Sequence, residues 1–361
     1  MTASTHAAPC EPRQSRTGRS DIDDQHAAGQ ATAGPRTALV VAALLVVYVV
    51  WGSTYLGIRV VVQEAPPLVS GGLRFMTAGI LLGTILALRG GPRRLAVRPR
   101  QLAGAAFLGL MLPMLGNGLV SVGEDMGAPS GITALLIAAV PLWIVVFRVG
   151  AGDRPRALTL AGVLLGFGGL TYLVLAGRAS GAGDLPLPAA LLILFACTCW
   201  SIGSYVQPRL RLPEDVFVTT VYEMLCGGLI MVLVGLAVGE RFTGDYSART
   251  WFALGYLVLF GSMLAFTSYV WLLAKAPISL VSTYAYVNPV VAVFLGWLIL
   301  SEPVTSAVVV GGGVVVLAVA VVITAERPRN KPLPEAPTPE DASAVLGDTP
   351  PPLGPASRRP A

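Results

Sequence analysis

The chain has 361 residues, of which 54% are hydrophobic and only 12% are charged, and its mean hydropathy is +0.70. This composition excludes an ordinary soluble globular protein, which needs far more charged surface to stay dissolved. The net charge of +5 reflects basic loops, and no basic stripe interleaved with aromatic residues indicates a nucleic-acid partner.

Ten apolar segments lie between two polar ends of the chain. Residues 1–36 are polar and predict a disordered cytoplasmic tail, and residues 325–361, with ten of the 28 prolines, predict a second one. Each apolar segment is near the ~20 residues that a helix needs to cross a bilayer, and none alternates with period two as a barrel strand does. The predicted spans are 38–60, 68–88, 102–121, 128–148, 157–176, 188–207, 216–238, 250–273, 277–300 and 305–324.

The basic residues predict the orientation of these spans. If the N-terminus is cytoplasmic, 20 of the 25 Lys and Arg residues fall in cytoplasmic segments. The outer loops then hold only Arg59, Arg178, Arg241 and Arg249. Positive residues are enriched in cytoplasmic loops, so both termini are predicted to be cytoplasmic, in a multi-pass protein of the cell membrane.

The two halves of the chain repeat one another. Tryptophans recur 149 residues apart and prolines 148 residues apart: Trp51 with Trp200, Pro129 with Pro277, Pro141 with Pro289 and Pro155 with Pro303. Because each half has five spans, an odd number, the second half must enter the membrane upside down. The predicted fold is therefore an all-α integral membrane protein of ten transmembrane helices in two inverted five-helix repeats, residues 37–176 and 177–324.

Two of the repeated prolines lie inside predicted spans. Proline lacks a backbone N–H, so Pro141 frees the carbonyl of Ile137 and Pro289 frees that of Ala285. Free carbonyls at that depth are tolerated where protein or a wet cavity satisfies them. We therefore expect helix breaks at Pro141 and Pro289.

Two charges remain inside the spans, Arg74 in the second and Glu223 in the seventh, 149 residues apart. Charges within a membrane usually face a partner or a pathway. The functional interpretation makes Arg74 an anchor for a substrate carboxylate and Glu223 a site for a cationic group or a coupling proton. The structural alternative has Arg74 reaching outward and Glu223 bonded to a neighbouring helix. The inverted topology puts them at different depths, so no direct salt bridge is expected.

Other polar and aromatic residues lie near the middle of spans. Trp51 and Trp200 are far from the interfaces that membrane tryptophans favour, and Asn117 lies between two glycines. Tyr284 and Asn288, four residues apart, share a helix face, which we expect to line a substrate cavity. Hydrogen bonding and packing between helices are the alternative for all five.

Glycines cluster in the fifth and tenth spans, as Gly162-x-x-x-Gly166 and Gly311-Gly312-Gly313. They predict close helix packing. The only histidines, His6 and His26, lie in the N-terminal tail, and the four cysteines lack the spacing of metal ligands. With no catalytic or nucleotide-binding motif either, we predict no catalytic residue, no metal and no cofactor, and the chain is not expected to be an enzyme.

Several motifs together resemble the drug/metabolite transporter superfamily, in particular its ten-helix members with two EamA domains. They are Trp51-Gly52-Ser53-Thr54-Tyr55, Gly72-Leu73-Arg74-Phe75, Gly116-Asn117-Gly118, Ala128-Pro129-Ser130-Gly131, Tyr222-Glu223-Met224-Leu225 and Tyr284-Ala285-Tyr286-Val287-Asn288-Pro289. The resemblance covers about residues 38–324, so each predicted repeat corresponds to one EamA domain.

The resemblance implies a carrier that works by alternating access, with a cavity lined by helices 1, 3, 4, 6, 8 and 9 and with helices 5 and 10 as a scaffold. Its substrate-binding candidates here are Trp51, Tyr55, Arg74, Asn117, Trp200, Tyr284 and Asn288. The predicted function is export of a small organic solute such as an amino acid, metabolite or drug-like compound, with proton coupling left open.

The alternatives are an uncoupled facilitator or exchanger and, further off, a membrane scaffold or an intramembrane enzyme. The expected partners are the solute and the lipid bilayer, and the chain is expected to be a monomer or a homodimer.

Overall fold

The computed structural model describes residues 35–179 and 185–325, and every regular element among them is helical. The predicted tails lie outside the described residues, except that residues 35, 36 and 325 are helical. Ten helices follow one another in the described part: α1 (Ala38–Val62), α2 (Pro67–Gly90), α3 (Pro99–Asp125), α4 (Ser130–Gly150), α5 (Ala157–Ala179), α6 (Leu187–Val206), α7 (Val216–Ala237), α8 (Ala248–Lys275), α9 (Tyr284–Leu300) and α10 (Ser306–Ala325).

Length and composition agree with the prediction of ten spans. Nine helices of the described ranges are long and apolar enough to cross a membrane. The exception is α9, with 17 residues, which the short helix Ile278–Val281 precedes. The fold is thus the predicted all-α membrane bundle.

The helices pack as two related sets. α2 lies along α7 and α5 lies along α10, so equivalent helices of the two halves pair across the molecule. α1 packs against α8 and α9, and α6 packs against the equivalent helices α3 and α4. The inverted relation also requires that the loops after α2 and α6 lie at one end, and they do, since Arg94 and Asp215 form a salt bridge of 2.7 Å.

Local sequence fixes where the helices begin. Pro66, Pro129 and Pro186 are extended residues that immediately precede α2, α4 and α6. The free N–H groups of two helix starts are satisfied from distant loops. Glu240 accepts from Leu68 and Val69 of α2, and the Glu302 carboxylate accepts from Ser130 and Gly131 of α4.

The two prolines predicted to break helices behave differently. α4 is interrupted at residues 138 and 139, and the carbonyl that Pro141 frees, that of Ile137, accepts from the Cys197 thiol at 3.6 Å. The prediction for Pro289 is wrong, because α9 runs without interruption past it. The interruption lies instead at residues 282 and 283, where the Thr283 hydroxyl bonds to the Leu280 carbonyl at 2.6 Å.

Wider π-helical turns occur inside three helices. They span Val47–Trp51 in α1, Leu110–Gly118 in α3 and Leu257–Phe266 in α8. The segments in α3 and α8 occupy equivalent places in the two repeats. π-helical turns leave backbone groups available to other partners and often mark functional sites.

The paired helices α5 and α10 approach closely at glycines, as predicted. A Cβ added at Gly162 would lie 2.8 Å from Val322, and one at Gly311 would lie 3.0 Å from Leu173. Gly313 is the exception, since a Cβ there meets nothing within 4 Å. The pair stands apart from the centre of the bundle.

Candidate functional site

Four aromatic rings from four helices meet at the centre of the bundle. Trp51 of α1 and Trp200 of α6 lie edge to face with their centroids 5.4 Å apart. Tyr269 of α8 lies 4.7 Å from Trp51 and 5.5 Å from Trp200, and Tyr284 of α9 lies 5.5 Å from Trp51. These separations are favourable for aromatic pairs, so we call the four residues the aromatic cluster.

Both indole N–H groups and the Tyr269 hydroxyl of the cluster are hydrogen-bonded. Trp51 Nε1 donates to the Gly261 carbonyl at 3.3 Å, in the π-helical segment of α8. Trp200 Nε1 donates to the Tyr269 hydroxyl at 3.1 Å, and this hydroxyl also bonds to Ser204 at 2.7 Å. Each indole therefore has the partner that its depth in the membrane requires.

A cavity of about 40 Å³ lies beside the aromatic cluster. That is room for about two or three water molecules. Helices of both repeats enclose it, namely α1, α3, α4, α6 and α9, while α8 supplies Tyr269 behind them. The lining residues are Trp51, Thr54, Tyr55, Ile58, Gly116, Asn117, Val120, Ile137, Trp200 and Tyr284.

Five of the seven substrate-binding candidates line this cavity, and the structure gives the other two separate surroundings. Arg74 is 3% exposed and lies behind the cavity. Its Nε donates to Ser262 Oγ at 2.7 Å and its Nη1 to Asn117 Oδ1 at 3.3 Å. The Asn117 oxygen is engaged by Arg74, while Asn117 itself lines the cavity. Arg74 thus joins α2, α3 and α8 and orients one lining residue.

Asn288 does not line the cavity, which corrects the expectation that it shares that role with Tyr284. With its NH₂ group toward the neighbouring carbonyls, it donates to Tyr48 at 3.0 Å and to Tyr284 at 3.3 Å. The Tyr48 carbonyl belongs to the π-helical segment of α1, and the Tyr48 hydroxyl bonds to Thr283. Asn288 therefore holds α9 against α1.

Glu223 lies outside the cavity lining and is fully buried in α7. Neither carboxylate oxygen has a hydrogen-bond partner within the described residues. Its backbone passes close to α3, since a Cβ added at Gly109 would lie 2.7 Å from the Glu223 carbonyl oxygen. Arg74 does not bond to Glu223, because its hydrogen bonds go to Ser262 and Asn117. This agrees with the expectation that the two charges form no salt bridge.

Helical spacing from the predicted candidates identifies further lining residues, namely Thr54, Ile58, Gly116 and Val120. Trp51, Thr54, Tyr55 and Ile58 are spaced i, i+3, i+4 and i+7, which places them on one face of α1. Gly116 and Val120 follow the same rule on α3. Tyr269 has no such signal, because its place depends on how α8 packs.

A small residue makes room for one of the indoles. A Cβ added at Gly116 would lie 2.6 Å from Trp200 Cε3. Trp200 can therefore lie against α3 only because position 116 has no side chain.

Comparison with known proteins agrees with this architecture. The profile of the EamA-like transporter family matches residues 38–175 and 187–324. An Escherichia coli (strain K12) protein named as an uncharacterized inner membrane transporter, YedA, is 39% identical over 280 residues, covering 78% of this chain and 89% of its own length. The uncharacterized transporter YoaV of Bacillus subtilis is 20% identical over 273 residues, covering 75% and 92%.

One solved crystal structure has a similar fold. Its TM-score is 0.58 at 21% identity, and the match covers 79% of this chain and 96% of the other. With two profile matches and a relative of 39% identity over most of its length, the chain belongs to the EamA-like transporter family and is a multi-pass membrane transporter.

Proposed function

We propose that this protein is a secondary carrier that moves a small organic solute across the cytoplasmic membrane by alternating access. The main support for this proposal is the central cavity, which is lined by polar and aromatic residues from both repeats. Carriers of inverted repeats bind their substrates near the middle of the membrane, where the repeats meet. Rocking of one repeat against the other opens the cavity to each side in turn.

The size of the cavity supports a mechanism with moving parts. Small-molecule sites measure about 300–1,000 Å³, several times the volume enclosed beside the aromatic cluster. A solute therefore enters only when the helices that carry Trp51 and Trp200 separate. The lining suggests an amphipathic solute, because indole and phenol faces alternate with the Asn117 amide and the Thr54 and Tyr55 side chains.

We propose that both termini are cytoplasmic and that transport runs outward. The distribution of basic residues supports the orientation, since 20 of 25 fall on one side. Cysteines placed at Gly150 and Gly239 test it with a reagent that does not cross membranes. We expect labelling of Gly239→Cys from outside intact cells, and labelling of Gly150→Cys only after the membrane is opened.

We further propose that proton influx drives the export and that Glu223 takes part in coupling. A buried carboxylate without hydrogen-bond partners is costly as an anion, so its protonation state can change with the conformation around it. In proteoliposomes, Glu223→Gln is expected to abolish transport driven by a pH gradient and to leave downhill exchange of solute. An unchanged response to the gradient would remove Glu223 from the mechanism and favour an uncoupled facilitator or exchanger.

A screen of labelled amino acids and amphipathic metabolites in proteoliposomes tests the function itself. Trp51→Ala and Asn117→Ala are expected to reduce flux at least about tenfold, the effect of losing about 1.4 kcal/mol of solute binding. Trp297→Ala is the matched control, because Trp297 is 54% exposed on the outer face of α9. Equal flux in all three variants would argue against the central cavity and for a scaffold or another activity.

The same preparations give the oligomeric state, for which we propose a monomer or a homodimer.

A further inference from the structure

A second fully buried carboxylate, Glu124, lies near the end of α3. Both of its carboxylate oxygens lack a hydrogen-bond partner within the described residues, although its exposure is 0%. Asp125, the next residue, is exposed. The only other carboxylate in this condition among the described residues is Glu223, which the proposed coupling already uses.

The position of Glu124 relates it to the central cavity. Asn117, Val120 and Glu124 are spaced i, i+3 and i+7, so they follow one face of α3, and the first two line the cavity. Glu124 is about 10 Å beyond Asn117 along the helix axis, toward the side proposed to be outside.

Helices α1 and α6 contact α3 next to Glu124, beyond the lining residues of the cavity. Arg59 of α1 donates from Nη1 to the backbone carbonyl of Glu124, which fastens α1 to α3. Next to it, a Cβ added at Gly123 would lie 2.5 Å from Ile193 of α6. We call the contacts of Gly123 and Glu124 with α6 and α1 the outer closure.

The charged neighbours do not neutralise the carboxylate. Arg59 is close enough to interact electrostatically with the carboxylate, but its hydrogen bond goes to the Glu124 carbonyl. Glu302 is also near, and its carboxylate is held by Ser130 and Gly131 of α4. Tyr55 of α1 interacts electrostatically with Glu124 and with Cys197 of α6. Asp125 is the next residue of α3, and Arg74 of α2 bonds to Ser262 and Asn117.

We propose that Glu124 is a proton-binding site of the outer closure, neutral while the closure is formed and ionised when it opens to the outer solution. An anion buried there would lose its hydration and gain no hydrogen bond, so closing favours the protonated acid. Closing then takes up a proton from outside, and a lower outer pH favours the closed state. This inference rests on the carrier mechanism and the orientation proposed above.

Accessibility of the cavity from outside tests the inference without any solute. The background has its four cysteines replaced by serine, and Val120→Cys reports on the cavity beyond the closure. Gln63→Cys, in the exposed loop after α1, corrects for the pH dependence of the thiol reaction itself. We expect the corrected labelling rate to rise with outer pH, by at most about tenfold per pH unit for one proton.

Variants assign this dependence to one side chain. Glu124→Gln is expected to remove the rise, Glu124→Asp to retain it with a changed midpoint, and Asp125→Asn to leave it as in the parent. The inference is overturned if Glu124→Gln retains the same pH dependence as Asp125→Asn. Flux is not measured, so absence of transport would count against the proposed function and leave this result standing.

A measurement on the unaltered protein covers the case in which Glu124→Gln does not fold. Dicyclohexylcarbodiimide is apolar and modifies protonated carboxyl groups. Peptide mass spectrometry should find modification at Glu124 that declines as the outer pH rises. Modification that does not depend on pH, or none at Glu124, contradicts the proposal.

Discussion

Arg74 and Glu223 occupy equivalent positions in the two repeats, but their surroundings are opposite. Arg74 bonds to Ser262 and Asn117 and lies 4.7 Å from the centre of the Phe75 ring. Glu223 is equally buried and has no hydrogen bond to either carboxylate oxygen in the described part of the chain. The repeat gives both charges the same place on a helix, while their partners come from elsewhere in each half. A bonded charge stabilises the fold, and an unbonded one is free to change its protonation.

The largest loss of stability is expected when Arg74, the hydrogen-bonded charge of this pair, is replaced. Arg74→Ala removes two hydrogen bonds and leaves the Ser262 and Asn117 groups without their donor. We expect a loss of about 2–4 kcal/mol of stability, measured by thermal unfolding in detergent. Arg89→Ala, on an exposed residue of the same helix, is the control. Equal unfolding temperatures for the two variants would mean that the Arg74 bonds contribute nothing.

A smaller effect is expected from crowding Arg74 without changing it. A Cβ added at Gly261 would lie 2.9 Å from Thr54 and 3.2 Å from Arg74 Nη2, so Gly261→Ala should cost about 1–3 kcal/mol. At Gly255, also in α8, a Cβ meets nothing within 4 Å. Gly255→Ala should therefore stabilise the helix by about 0.5–1 kcal/mol. Unfolding temperatures that shift in the same direction would contradict this packing.

The unbonded member should tolerate substitution. Glu223→Gln breaks no hydrogen bond and removes a charge that burial makes costly, so the stability change is expected to stay within about 1 kcal/mol. Thermal unfolding at neutral pH measures it beside Arg74→Ala. A loss as large as that of Arg74→Ala would show that Glu223 is a structural residue after all.

The smallest effect comes from a carboxylate that has partners and lies outside the spans. Glu64 accepts from the Ser247 N–H and the Thr250 hydroxyl, each at 2.8 Å, and these bonds hold its pKa below the ordinary 4.5. The contribution of Glu64 to the stability of the fold is therefore present above pH 4.5. It disappears as the pH falls through the lowered pKa of the folded state. Unfolding temperatures from neutral to acidic pH should fall slightly more for the parent than for Glu64→Gln. If the unfolding temperatures of the parent and of Glu64→Gln fall equally with pH, the Glu64 bonds contribute nothing to stability.

The sequence predicted those features that depend on composition and spacing. Ten apolar runs near ~20 residues give ten helices, because a helix satisfies its own backbone in lipid. The positions of Trp51 and Trp200 within their spans predicted that both indoles lie deep in the membrane, and their rings do meet at the centre. The motifs Gly162-x-x-x-Gly166 and Gly311-Gly312-Gly313 likewise predicted close packing, which of these five glycines only Gly313 lacks.

Features that depend on helix rotation and local winding could not be predicted in this way. Asn288 shares a face with Tyr284, but the face is wide enough for one residue to line the cavity and the other to bond to Tyr48. Pro289 removes one hydrogen bond without ending the helix. The interruption lies before α9, where the Thr283 hydroxyl donates to the Leu280 carbonyl. The π-helical segments change the register of α1, α3 and α8, and of the three only the segment in α3 contains a proline, Pro113.

The small volume of the cavity has a consequence for the cell that makes this protein. Membranes store energy as ion gradients, and any continuous file of water across them would discharge those gradients. About 40 Å³ enclosed beside Trp51 and Trp200 holds too little water to connect the two faces. The water beside Trp51 and Trp200 therefore cannot by itself form such a file.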